Sequence, residues 1–427
     1  PAGTRAVVVP AAPPPPAAPS RPSGPLAGVL PDQGDSMTTT LARLDPRTLR
    51  PLPGRRLELP GTSPLLAVAP DRSVAVLGDE AGDLTVVDLA HLRRLGAVRA
   101  LVPGDGVFGW GWVGPSRLLL IGTAQQAATE VLAVDVPARR LVGRQRVDGV
   151  VQGYARLPSG LALLVTPANQ IGRARLVLAD QGAGLRTVPL AGIDAGFRQT
   201  DSADGSGPRI QQAVPGIAAD PAGRRVYVVP AGGPVAEVDP AGPRVSYHRL
   251  GRPEGPLQRL ARWWAPPAEA KIVSGPTRSA LWLGDGRLAV TGWDGSASGQ
   301  HVEVPSGLKL VDTADWTVRQ VERHASGAVL AGGRLLAFGT ALGTGPHGAN
   351  QGYGLTLYGP GDRQPVHRFG ARQVSGVQAD GGLAYVQLMD ANTSNLEGYA
   401  VVDLRSGRVL HQRSGWAPEL LLPDRAY

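Results

Sequence analysis

A pattern of short apolar runs and tight polar turns, LLAVAPDRSVAVLGDEAGDLTVVDLAHLRRLGAV at residues 65 to 98, returns about every 45 residues up to the C-terminus. The runs are rich in Val and Leu, bounded by Pro, Gly and Asp, and too short for helices, so each is predicted to be a strand. One run in each repeat ends on an aspartate: Asp45, Asp88, Asp135, Asp180, Asp239, Asp312 and Asp403. The segment LTLYGPGDRQPVHRF (355 to 369) is a degenerate eighth. A carboxylate there bonds the backbone N–H groups of the following turn and closes a hairpin, which assigns these aspartates a structural task rather than a catalytic one.

The spacing between successive aspartates is 43, 47, 45, 59 and 73 residues from Asp45 to Asp312, and Asp312 to Asp403 spans 91, two repeats. The two long intervals therefore carry insertions over the common period. Every hairpin but the first is preceded by another, as in AVAPDRSVAVLG, ARLPSGLALLV and AADPAGRRVYVV. A strand-only repeat of this length cannot bury both faces of its sheet without neighbours, and the arrangement that supplies them is a ring. The predicted fold is all-β: a single β-propeller of four-stranded blades, with eight blades favoured over seven. Ring closure is expected from both termini, with PELLLP (418 to 423) innermost, RAVVVP (5 to 10) second and the hairpin at 38 to 59 outermost.

RRVYVVPAGGPVAEVD (224 to 239) resembles the YVTN β-propeller repeat, with Tyr227, Val228, Val238 and Asp239 at its characteristic positions. That superfamily includes surface-layer proteins, lactonases and amine-dehydrogenase-like quinoproteins, so the resemblance implies a fold more sharply than an activity. WD-type propellers match less well, because the lone Trp293-Asp294 pair is expected in a loop.

Cysteine is absent, which excludes disulfides, thiolate metal sites and Cys nucleophiles. With no cysteine and no recognisable haem or quinone site, quinoprotein chemistry is disfavoured. No apolar stretch is long enough to span a membrane as a helix. Net charge is +8, and Lys271 and Lys309 are the only lysines among 43 basic residues, a bias attributed to GC-rich coding. No arginine cluster interleaves with aromatics over a groove-sized stretch, so nucleic acid is not expected as a partner. The start at Pro1 followed by AAPPPPAAPSRPSGP reads as a mature, exported N-terminus, extracellular or in the cell envelope. Residues 1–36 are taken as a Pro/Ala-rich segment with a strand at 5–9, and 37–427 as the propeller.

In a four-stranded meander, the turns between strands one and two and between three and four share one face. The two-to-three loops and blade-to-blade links share the other. The long connections all fall in the second set: 106–112, 167–173, 191–212, 251–271, 292–307, 339–354 and 389–398. Long loops on a rigid scaffold are where binding sites concentrate, so this face is the expected functional one. His91 is assigned to a turn, and His248, His367 and His411 to outer strands. His301, His324 and His347, with Glu303, are the catalytic candidates. Asp294, His301 and His347 are the candidate metal ligands, with Asp201 and Asp204 in a loop of calcium-like spacing that has no completing Glu. For binding, the candidates are Trp110, Trp112, Trp293 and Tyr353 with Asn350, Asn392 and Asn395, a set suited to a sugar. Arg262, Trp263 and Trp264 join them from a short expected helix at 257–264.

The sequence thus favours an exported, non-enzymatic propeller that binds a protein partner or an envelope glycan through its loop-rich face, without a cofactor. The alternative is a metal-dependent lactonase- or lyase-like enzyme at the channel mouth, using calcium or another divalent cation.

Overall fold

A computed structural model describes residues 26–423 except 31–37, 62–64, 79–82, 99–106, 125–127, 202–207, 243, 251–272, 295–303, 342–350, 360–361, 371, 392 and 394. The chain is an eight-bladed β-propeller, each blade a four-stranded antiparallel sheet. Blade 4 shows the unit: Val150–Leu157, Gly160–Thr166, Arg175–Asp180 and Leu185–Pro189, ordered from the channel outward. No helix occurs among the described residues.

Burial explains why the strands differ in composition. The second strand, GLALLVT, is buried at every position because a neighbouring blade covers each of its faces, so it reads as a continuous apolar run rather than an alternating one. The outermost strands are half solvent-facing: Arg140–Asp148 of blade 3 exposes Arg140, Arg144, Gln145, Arg146 and Asp148. Eight hydrophobic clusters fill the eight interfaces between blades. The largest joins blades 4 and 5 through Leu164, Leu176, Leu190, Ile193, Val226, Val228 and Val238 among others.

The aspartates end their strands as the sequence indicated. Asp45 Oδ1 accepts from the backbone N–H groups of Arg47 and Thr48, and Asp180 Oδ1 from those of Gly182 and Gly184. Asp403 Oδ1 does the same for Arg405 and Ser406. Asp88, Asp135, Asp239 and Asp312 make the equivalent bonds to their turns.

Blade 1 is assembled from both ends of the chain. Glu419–Leu420 is innermost, followed by Leu26–Val29, Thr38–Leu44 and Leu57–Pro60. The innermost and outer strands fall where the sequence predicted. The second does not: it is LAGV at 26–29, inside the stretch read as spacer, so the propeller begins ahead of residue 37. The predicted strand at 5–9 lies outside the described residues. LAGV escaped notice because it is short and ringed by Pro and Gly. Its glycine is nevertheless needed, since a Cβ on Gly28 would lie 2.5 Å from Leu44 Cδ1.

The two long insertions converge. Gly196–Asp201 and Pro208–Ala213, from the blade 4 to 5 link, pair as a hairpin, and Val273–Ser274, from the blade 5 to 6 link, adds parallel to it. This ninth sheet is tied to the ring by backbone hydrogen bonds, Gly172 N–H to Ala195 O at 2.8 Å and Val214 N–H to Pro276 O at 3.0 Å. It lies on the face of the blade-to-blade links. On the opposite face the turns are tight, apart from 45–56 in blade 1.

Candidate functional site: the channel and the loop-rich face

Innermost strands of blades 4 to 8 enclose an axial cavity of about 520 Å³, with Gln152, Arg156, Ser279, Ser375 and Phe338 on its wall. Arg278 enters it at the loop-rich end, where its strand Thr277–Gly284 begins. Its side chain is 6% exposed. It donates to the carbonyls of Thr277 at 2.8 Å and Trp293 at 2.7 Å, and to the carboxylate of Asp294. A buried arginine is tolerated only when its charge and donors are matched in this way. Its place fastens the base of the 295–303 connection, where Val304–Pro305 pairs back onto Trp293 and Asp294. Burial, then Arg278, lower the proton affinity of the nearby Lys309 ammonium, while Asp294 opposes them.

A second cavity of about 680 Å³ lies between blades 8 and 1, with Glu419, Tyr385 and Trp416 among its walls. Glu419 reaches solvent along this cavity, yet the protein packed around it desolvates the carboxyl and pushes its pKa up. Tyr385 is 6% exposed, and its hydroxyl has no hydrogen-bond partner. Burial foremost, with Asp380 nearby, makes that hydroxyl hard to ionise. Neither cavity brings an acid and a base into a working pair with a nucleophile.

Several residues predicted for loops are structural. Trp110 and Trp112 belong to Val107–Val113, the innermost strand of blade 3, where Trp112 joins the blade 2–3 core and Trp110 packs against it. The GVFGWGW stretch reads as a loop because its glycines imitate turn punctuation. Tyr353 is buried between blades 6 and 7, its hydroxyl donating to Glu322 Oε2 at 3.1 Å beside Tyr358, and is not available to a sugar. Trp293 and Asp294 close the strand Arg287–Asp294 rather than lying in a loop. Asp294 pairs with Arg278 through one carboxylate oxygen.

His324 sits in the link between blades 6 and 7, half-buried, its backbone N–H 3.4 Å from Glu322 Oε1. Asn395 is exposed just ahead of the strand Leu396–Asp403. Asp201 ends the hairpin strand Gly196–Asp201. His301, Glu303, His347, Asp204, Arg262, Trp263, Trp264, Asn350 and Asn392 lie outside the described residues. No three His, Asp or Glu side chains converge as a metal site among the described residues. Arg278 and Glu419 belong to no motif, so the sequence did not single them out even though Glu419 lies in the stretch predicted to be innermost.

No known family profile matches the chain, and no curated protein matches it. Solved structures do. The dihydro-heme d1 dehydrogenase NirN, solved in complex with DHE, aligns over 94% of this chain and 77% of its own, with a TM-score of 0.53 at 13% identity. The β-propeller domain of the Trilobed protease from Pyrococcus furiosus aligns over 90% of this chain and 98% of its own at 11% identity, with a TM-score of 0.40. The Cps50 (Swd1) propeller of Myceliophteria thermophila covers 84% and 88% at 12% identity, TM-score 0.42. At such identities the likeness is one of fold: this is a β-propeller, and propellers host both binding and catalysis.

Proposed function

We propose that the protein is an exported, non-enzymatic recognition propeller of the YVTN type that engages a protein partner or an envelope glycan through its loop-rich face. One observation carries the reading. Two insertions separated by a whole blade meet in a single three-stranded sheet over that face. Ordering so much extra backbone is costly in entropy and adds nothing to closing the ring, so its contribution is a surface. The buried Arg278 clamp fixes Trp293 and Asp294 at the end of their strand on the same face, and a preorganised scaffold lowers the cost of binding. No cofactor is required by this reading.

The test replaces residues 197–212 with a short Gly-Ser turn, leaving the eight blades intact. Circular dichroism and melting temperature should stay close to those of the intact chain. The intact protein is expected to capture a defined envelope component that the shortened variant does not. Equal capture by both would overturn the proposal. So would a stoichiometric divalent ion together with lactone hydrolysis that His301→Ala abolishes.

A further inference from the structure

The seam where blade 8 meets blade 1 differs from the other interfaces in what fills its outer half. Tyr399 and Val401 of blade 8 and Leu26 and Leu44 of blade 1 supply an apolar inner part. Beside them a cleft of about 520 Å³ opens, whose lining mixes apolar residues such as Leu30 and Leu49 with Thr38, Glu58 and the two arginines Arg56 and Arg413, and which Trp416 borders. That volume lies within the range of small-ligand clefts.

Three properties of this cleft point to a ligand class. First, it holds two arginines that make no ion pair among the described residues, unlike Arg72 with Asp380, Arg93 with Asp88, Arg144 with Glu130 and Arg224 with Asp220. Arg56 and Arg413 are exposed, and among the described residues neither has a carboxylate within ion-pairing distance. Arg50 adds to the same positive field: with Arg413, and after burial, it lowers the proton affinity of His411 on the neighbouring strand. Second, Trp416 is 68% exposed, far more than the other exposed large apolar residues, Tyr247 at 41% and Leu95 at 36%. It sits in the blade 8 to 1 link, between Gly415 and Pro418, at the cleft's edge. An indole so placed offers a flat stacking surface. Third, Glu58 and Thr38 supply hydrogen-bond acceptors inside the cleft.

We propose that the seam cleft binds an acidic oligosaccharide, a chain of sugar rings bearing carboxylates. The planar carboxylate matches the guanidinium fork of Arg56 or Arg413 in bidentate fashion. Ring C–H faces stack on Trp416, and ring hydroxyls donate to Glu58. A nucleic acid is the comparison that the experiment excludes, since its phosphates are tetrahedral and lack the planar fork-to-fork match of a carboxylate with a guanidinium. This site uses residues apart from the added sheet, so the 197–212 replacement leaves it in place and the two experiments can fail separately.

The experiment titrates the full chain with tetragalacturonate by calorimetry at low and moderate salt. Maltotetraose serves as the neutral comparison and an oligothymidylate of equal length as the phosphate comparison. Tetragalacturonate should bind, more weakly as salt rises. Loss of one charge-assisted pair predicts about tenfold weaker binding for Arg56→Gln and for Arg413→Gln. Trp416→Ala should weaken it about fivefold, with Trp416→Phe retaining most of the affinity. All three positions are at the surface, and unchanged melting temperatures would confirm intact folding. The proposal is overturned by absence of binding, by binding indifferent to all the substitutions, or by maltotetraose or the oligothymidylate binding as tightly as the uronate.

Discussion

The interface between blades 4 and 5 and the seam between blades 8 and 1 solve the same packing problem with different materials. Blades 4 and 5 each come from one continuous segment, and aliphatic side chains fill the space between them from the channel outward. The seam sits against a blade 1 whose strands come from both ends of the chain, joined by two register pairs, Gly28 with Leu420 and Val29 with Glu419. It leaves one cavity of about 680 Å³ and one of about 520 Å³ beside a smaller apolar cluster. Between blades 4 and 5 a dense core adds to connectivity. At the seam the chain runs on only into the two-residue strand Glu419–Leu420, so the rest of blade 1 is held by that short pairing and by incomplete packing, which makes this region both the mechanical weak point and a place with room for a ligand.

The largest expected effect tests the dense interface. Leu164→Ala leaves a cavity among residues that cannot collapse onto it, and should cost about 3 kcal/mol in denaturant unfolding. Leu420→Ala, beside existing voids, should cost about half as much, and equal losses would break the contrast. Stapling the seam should act in the opposite direction. Because Val29 and Glu419 are register partners and the chain has no other cysteine, Val29→Cys with Glu419→Cys would close the ring covalently. A gain of about 2 kcal/mol over the reduced form is expected. No gain would mean that the seam does not open first.

Tyr385→Phe removes a buried hydroxyl that has no partner. Its effect should be neutral or stabilising by up to about 1 kcal/mol, and a clear loss of stability would show that the hydroxyl is satisfied in solution. The smallest effect concerns the turn aspartates. Burial would raise the Asp88 carboxyl, but hydrogen bonds from His91 and Arg93 outweigh it and hold the pKa at about 2, below its ordinary 3.8. A carboxylate depressed on folding contributes stability above its unfolded pKa, and that contribution fades as pH falls from about 4 to about 2. Asp88→Asn should therefore cost under about 1 kcal/mol at neutral pH. Its difference from the parent should shrink on acidification, as read from urea midpoints at several pH values, and a gap constant with pH would count against it.

The repeat, its aspartate-closed hairpins and the choice of eight blades were legible because each blade repeats a local rule: apolar strand, turn residue, apolar strand. The same logic failed where local signals mislead. Glycines in GVFGWGW imitate a loop although Val107–Val113 is an inner strand. LAGV at 26–29 hides among prolines, although closure of the ring needs it. Exposed-seeming aromatics such as Tyr353 turned out to be core, because exposure is decided by the next blade and not by the residue's own strand.

By itself, then, the sequence determined the kind of unit, its number and the face that receives the long connections, since all three depend on spacing along the chain. Only the tertiary structure decided that two distant insertions share one sheet, that Arg278 and Asp294 neutralise each other, and that Arg56, Arg413 and Trp416 border one cleft. Those relations depend on which strands pair and which blades adjoin, and no local periodicity records them. The cleft exists because closing the ring brings blade 1 against blade 8.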